Sequence, residues 1–395
     1  MKTIAFKLFT VFVFSVIFIN PIMSQVNDLN VPDLCNGVID QYSRNYLNTS
    51  MVARGNTGIA ITDRINVAIY NPAAFRSNES HFAFQFIVKD VADEFNTYNT
   101  QARPRKEYHS PFAVSFFGIG FNSYNDFHTG ISYALTRSIE YNSFLRSLYG
   151  TGIVDTYPTF KEHQFTITFA KKFGDLSFGA NGNVVLQTFY DYRNEGKIDM
   201  IDLSEIKFIP QLGVLYEGGI VNVGASYKPK VKAKFREKYI SFETINPTTI
   251  NSGITFNAQK GLKFSFDVDY VLYSETSDYF DDQISYKFGI QKKYNTFEFK
   301  VGFMHIPSVY EGKYTINNYI DTENDAFHPN FYDEILDEGL FIDTTQNVLT
   351  FGTSINVLKN SILHLAYLTD ISGNTDISQF STSLEINFSA LRKKR

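Results

Sequence analysis

Runs in which every second residue is apolar recur along most of this chain. Phe82, Phe84, Phe86 and Val88 form one such run. Leu262, Phe264, Phe266, Val268 and Tyr270 form another, and Ile284, Tyr286, Phe288 and Ile290 a third. Phe297, Phe299, Val301 and Phe303 follow, and Leu384, Ile386 and Phe388 close the series. The residues between them are polar or small, as at Lys263, Ser265, Asp267 and Asp269. A period of two is the signature of β-strands, and it gives each strand one oily and one wet face. The oily face is aromatic: the 395 residues include 39 Phe and 25 Tyr. With 44 % hydrophobic residues the chain has ample material for a folded body, which excludes a disordered one.

Alternation alone fits a water-soluble sandwich as well as a membrane barrel; the connections discriminate. Strands are expected near 81–90, 111–121, 128–139, 163–172, 175–188, 207–217, 220–228, 250–258, 262–273, 283–293, 297–305, 346–357, 361–369 and 378–388. These fourteen segments of about ten residues match the length that a tilted membrane-crossing strand needs. Every second link is short: 122–127, 173–174, 218–219, 259–261, 294–296 and 358–360. The others are longer, the longest being 306–345. Short turns on one rim and long loops on the other are the pattern of an outer-membrane barrel, and a sandwich has no reason to sort its loops in this way. The expected fold is therefore an all-β, transmembrane antiparallel barrel of about fourteen strands, covering 81–395. Its outward rows would meet the lipids of the outer membrane.

The amino terminus points the same way. Lys2 and Lys7 precede the apolar run 8–19, followed by Asn20, Pro21 and Ser24 before Gln25. This is the layout of a signal peptide over 1–24, and its run is shorter than the roughly 20 residues of a membrane-spanning helix. Cys35 is the only cysteine, so an internal disulfide and a multi-thiolate metal site are both excluded. With 36 basic and 41 acidic residues the net charge is −5, which gives no basic surface for nucleic acid.

Ahead of the first strand, residues 53–75 read ARGNTGIAITDRINVAIYNPAAF. Gly55, Gly58, Asp63, the tripeptide Asn71-Pro72-Ala73 and Phe75 together resemble the N-terminal signature of the FadL/TodX family of outer-membrane transport proteins. The segment after Pro247-Thr248-Thr249 is similar to the family's proline, glycine-containing strand, tight turn and acidic-aromatic strand. So is FEFKVGFMHIPSV at 297–309, with Gly302 and Pro307 in place. The basic ending SALRKKR departs from barrels that stop at an aromatic residue, and no pocket residue of the family can be matched.

The resemblance implies a fourteen-stranded, monomeric barrel plugged by an N-terminal hatch, here 25–80. It implies passive uptake of hydrophobic compounds such as long-chain fatty acids. The ligand would bind in an apolar pocket above the hatch, rearrange the hatch and leave sideways through the wall. The hatch motif residues Gly55, Gly58, Asp63, Asn71, Pro72, Ala73 and Phe75 are then the candidates for ligand gating. The hatch is helix-poor and Gly-punctuated, suited to a plug without its own core, with Asn71-Pro72 as a rigid turn. The turn either sets Phe75 at the lumen or merely starts the first strand. Strand glycines Gly130, Gly179, Gly182 and Gly302 mark either bulges where a wall opens or places where crowding is relieved.

Other constellations carry less. Loop 306–345 holds nine acidic residues against the single Lys313, which without a spaced ligand loop reads as a solvated face rather than a calcium site. Its interleaved aromatics, Tyr310, Tyr314, Tyr319, Phe327, Phe331, Tyr332 and Phe341, suit a greasy entry groove. The seven histidines have no metal-ligand spacing, and no serine carries a nucleophile motif. No cofactor, metal or catalytic residue is expected. A second function class stays open: a non-transport barrel of the same build serving a bacterial protein-secretion system.

Overall fold

The structure, a computed structural model, describes residues 43–77, 79–92, 112–140, 159–193, 198–236, 241–258, 261–276, 280–309, 313–314, 340–341, 345–358, 360–372 and 376–388. The expected signal peptide, Cys35, the basic tail and most of loop 306–345 lie outside the described residues.

In chain order the strands are β1 (His81–Ala92), β2 (Ala113–Tyr124), β3 (Phe127–Glu140), β4 (Thr159–Phe173), β5 (Leu176–Arg193), β6 (Ile198–Glu217) and β7 (Val221–Lys228). Then come β8 (Val231–Arg236), β9 (Ser241–Asn246), β10 (Thr249–Asn257), β11 (Leu262–Val271), β12 (Gln283–Tyr294) and β13 (Phe297–Ile306). Last are β14 (Lys313–Tyr314), β15 (Leu340–Phe341), β16 (Gln346–Leu358), β17 (Ser361–Asp370) and β18 (Asp376–Asn387). Fourteen of these close into one barrel, each next to its neighbour in the chain, with β1 antiparallel to β18 at the seam. The pairs β8–β9 and β14–β15 are separate two-stranded sheets. All fourteen barrel strands fall where the alternation puts them.

The two faces are inverted relative to a water-soluble protein. Phe169, Phe288 and Phe351 are 47 %, 43 % and 50 % exposed, whereas their chain neighbours Thr168, Lys287 and Thr350 are buried toward the lumen. An aromatic exterior of this extent is stable only against acyl chains, and closure leaves no strand edge unpaired in a solvent that offers no hydrogen bonds.

The short rim is built by residues that reach left-handed backbone. Asn125 and Asp126 both have positive φ between β2 and β3, and Gly174, Gly219, Gly261 and Asn295 supply it in four further turns. Tight hairpins need such angles to match strand twist. The opposite rim departs from expectation where links carry paired strands: β8–β9 falls within 229–249 and β14–β15 within 306–345, and the largest departure is between β5 and β6. Residues 189–206 are not a long loop, because β5 runs to Arg193 and β6 starts at Ile198, paired throughout. The sequence of this stretch has no clean alternation of apolar and polar residues, so it carries no period-two signal.

Residues 43–80 occupy the lumen. Helix α1 (Thr49–Val52) and two 3-10 turns, Ile65–Ile69 and Pro72–Ala74, are joined by irregular chain. Met51, Ile65, Val67, Ala73, Ala74 and Phe75 are buried in one cluster shared with the wall. Ala83, Phe116, Ala134, Ala170 and Leu215 of the wall complete it. The hatch is too small to enclose its own apolar side chains, so the wall supplies the other half.

Candidate functional site: the hatch and its seats in the barrel wall

The hatch meets the wall main chain on main chain at cross-strand glycine pairs. Gly289 and Gly302 face each other on β12 and β13. A methyl group on Gly302 would sit 2.0 Å from the Gly55 nitrogen, and one on Gly289 2.3 Å from the Arg54 carbonyl oxygen. Gly55 itself has φ +70°, and its N–H donates to Thr350 Oγ1 at 2.7 Å. Gly224 and Gly253, paired on β7 and β10, receive Ile59. Gly179 and Gly213, paired on β5 and β6, receive Pro72 and Ala73. Absence of Cβ is what lets two backbones approach this closely. Gly130, Gly179 and Gly302 therefore are not openings in the wall: their registers are continuous, and the lumen in front of them is filled by Ile65, Pro72-Ala73 and Gly55. Gly182 faces outward beside the Phe208 ring.

The remaining motif residues are clips within this arrangement. Asp267 on β11 accepts the N–H groups of Gly58 and Ile59 at 2.7 and 3.0 Å. Asn71 Oδ1 accepts the Ala73 N–H at 3.0 Å, while its amide donates to the carbonyls of Ile59 and Val214. Pro72 opens the following 3-10 turn, a position where its missing N–H costs nothing. Asp63 pairs its backbone with that of 74–76, and its side chain accepts the Arg64 N–H at 2.9 Å. Burial, and next the nearby Glu385 carboxylate, hold the Asp63 carboxyl above the usual range. Phe75 is wholly buried, edge-on to His81 and His128. It fills the hatch core rather than the open lumen.

No protein-family model matches the chain, and no curated protein matches it in sequence. Solved structures do match its fold. A Pseudomonas aeruginosa FadL homologue is 10 % identical, with 88 % of this chain and 100 % of that chain covered at a TM-score of 0.64. The Ralstonia pickettii toluene transporter TbuX is 14 % identical over 88 % of this chain and 99 % of that one, with a TM-score of 0.60. The P. putida toluene transporter TodX is also 14 % identical, with the same coverage and a TM-score of 0.59. The fold is that of the FadL and TodX barrels.

In this FadL-type barrel a buried polar row faces the hatch from β13 to β18. Glu385 accepts from Arg64 at 2.9 Å and from Asn66 at 2.7 Å. His364 Nε2 lies 3.4 Å from the same carboxylate, and its Nδ1 lies 2.6 Å from Ser354 Oγ. A serine, a histidine and a carboxylate thus share one face, which no local motif announces because β16, β17 and β18 bring them together by register. They form a clamp rather than a nucleophile. Ser354 is only 3 % exposed, the Lys300 ammonium donates to its hydroxyl, and Glu385 is engaged by the hatch. Lys300 also donates to Ser50 of the hatch at 2.8 Å. On the opposite side Arg76 pairs with Glu217 at 2.9 Å.

Toward the long-loop rim the same strands turn apolar. Met304, Val348, Leu368 and Ile377 face the lumen and are buried, with Met304 and Val348 directly opposite each other. Tyr46 of the hatch lies at this level, its N–H donating to Gln379, and burial pushes its phenol up to about 12. Across the lumen Phe160, Val185 and Ile209 are buried beside Glu162 and Lys207. Among the described residues no cluster of His, Cys, Asp and Glu has metal-binding geometry.

Proposed function

We propose that this chain is a channel in the outer membrane of a Gram-negative bacterium, acting as a monomer in the passive uptake of hydrophobic compounds. Long-chain fatty acids or small aromatic hydrocarbons are the ligands to test first. The observation that carries the reading is the layering of the lumen. Apolar side chains lie toward the long-loop rim, and beneath them a hatch is seated directly on the wall backbone. A plug so seated favours stepwise transfer of a bound lipophilic molecule over diffusion through water. That TbuX and TodX are described as toluene transporters, and CymD as a monoaromatic hydrocarbon channel, supports the same class. Hatch rearrangement after binding, with the motif 55–75 as the moving part, and exit through the wall belong to this proposal.

Binding of labelled oleate and labelled toluene to the detergent-purified full chain tests it. Saturable binding of either, weakened by Met304→Asp, is the expected result. Absence of saturable binding by both ligands would overturn it.

A further inference from the structure

We propose that His81 and His128 form a proton-sensitive fastening that holds the 62–80 half of the hatch against the short rim. Their geometry is unusual because both act as hydrogen-bond acceptors toward the hatch main chain. His81 Nε2 accepts the Ile65 N–H at 3.0 Å. With that nitrogen committed as an acceptor, the proton sits on Nδ1, which donates to the Glu79 carbonyl at 3.2 Å. His128 Nδ1 accepts the Ser77 N–H at 3.0 Å and also lies 3.3 Å from the Ser77 carbonyl oxygen, the longer of the two contacts. The two bonds fall at either end of the segment 65–77, and Phe75 stands between the rings, 6.2 Å from one centroid and 6.1 Å from the other.

The wall is shaped for this arrangement. Gly120, opposite His81 on β2, leaves the space that the imidazole fills, since a methyl group there would lie 2.2 Å from the ring. Gly130 does the same for Ile65.

An imidazolium has two donors and no acceptor. Protonation removes the acceptor that the Ile65 or Ser77 N–H uses. At His128 the new donor can turn to the Ser77 carbonyl, so the donor–donor conflict is sharpest at His81. The seated hatch excludes the proton there, and the released hatch does not. Where the released state binds more protons, acid favours release. A free imidazole titrates near 6.5, so the fastening is complete above that pH and is lost as the pH falls below it.

The surrounding charges are few. Asp63 and Arg64 of the hatch and Glu385 of β18 face His81, together with the hydroxyl of Ser77. Arg76 of the hatch, Asp126 of the β2–β3 turn and Lys171 of β4 face His128. Arg64 and Arg76 add repulsion once the rings are charged. Asp63 acts with the opposite sign: its carboxyl is held high in the seated state, so its own proton uptake favours seating as pH falls. Asp63→Asn removes that opposing contribution.

The inference deepens the reading of the hatch as the moving part of a channel and rests on it for its purpose. The test is hydrogen exchange of hatch peptides in the full-length protein in lipid vesicles, at pH 7.5 and 5.5, corrected for intrinsic exchange rates. Wild type and Asp63→Asn are expected to lose up to about tenfold in protection over 62–80 per imidazole, while peptides of the barrel wall stay unchanged. His81→Gln with His128→Asn keeps an acceptor at each position and removes the titration, so protection is expected to stay level. Heat-modifiable gel migration confirms that this variant folds. An equal loss in the two-histidine variant, or no loss in both wild type and Asp63→Asn, would overturn the fastening. Oleate and toluene binding at pH 7.5 is scored separately, because its absence would sink the transport reading and leave the exchange result standing.

Discussion

The hatch is held in two physically different ways. At 54–59 and 72–73 it rests on glycine pairs, where wall and hatch backbones approach closely, with Thr350 and Asp267 adding side-chain bonds at 55 and at 58–59. At 64–68 and 76–77 it hangs from side chains: Glu385, His81, Glu217 and His128 accept from its donors, and the Asn181 amide donates to the Ala68 carbonyl. The first kind of seat tolerates no added atom. The second is adjustable, because a rotamer or a proton can undo it. For the proposed rearrangement of the hatch, this difference sets an expected order: the side-chain-held stretches release before the glycine-seated ones.

Four substitutions probe the contrast, each measured as the urea-unfolding midpoint of the detergent-reconstituted protein beside exchange of the hatch peptides. Gly302→Ala carries the largest expected effect. Its methyl group would meet main-chain atoms of Arg54 and Gly55 at 2.3 and 2.0 Å, which cannot yield as a side chain would, so a loss near the top of the overpacking range, about 3 kcal/mol, is expected. Retention of wild-type stability would show that the glycine seats are not rigid. Glu385→Gln comes next. Removing the charge leaves Arg64 with a weaker partner in a half-buried setting, and about 2 kcal/mol is expected, with exchange rising at 64–68 while 54–59 stays protected. Equal rises in both stretches would erase the distinction drawn here.

Asn71→Ala deletes the cap of the Pro72–Ala74 turn and two bonds to backbone carbonyls, for about 1 kcal/mol. The smallest effect belongs to Gly182→Ala. Its methyl group would face the Phe208 ring at 3.3 Å on the lipid side, and a ring can shift, so a change within about 0.5 kcal/mol is expected. A large loss there would mean that any glycine in the wall is critical, whatever it faces.

The barrel was legible because lipid imposes a simple rule on sequence. Wherever a strand crosses the apolar layer, alternate residues must be oily, and Phe264, Phe266 and Val268 report this without knowledge of their partners. Residues 189–206 lack that alternation and read as a loop, although β5 and β6 pair there up to Arg193 and Ile198. The motif 55–75 was legible as a hatch, but its roles were not. Gly302 and Gly55 are far apart in the chain, and only register and curvature put them in contact.

The sequence by itself determined the strand count, the sorting of turns to one rim and the inward and outward faces, because each follows from local periodicity and turn chemistry in a known solvent; the plug was an implication of the family resemblance. Tertiary structure alone decided which wall glycines serve as seats, that His81 and His128 meet main-chain N–H groups of the hatch, and that Ser354, His364 and Glu385 line up beneath Arg64. Those features depend on distances between strands remote in sequence, and a cylinder's closure settles such distances all at once.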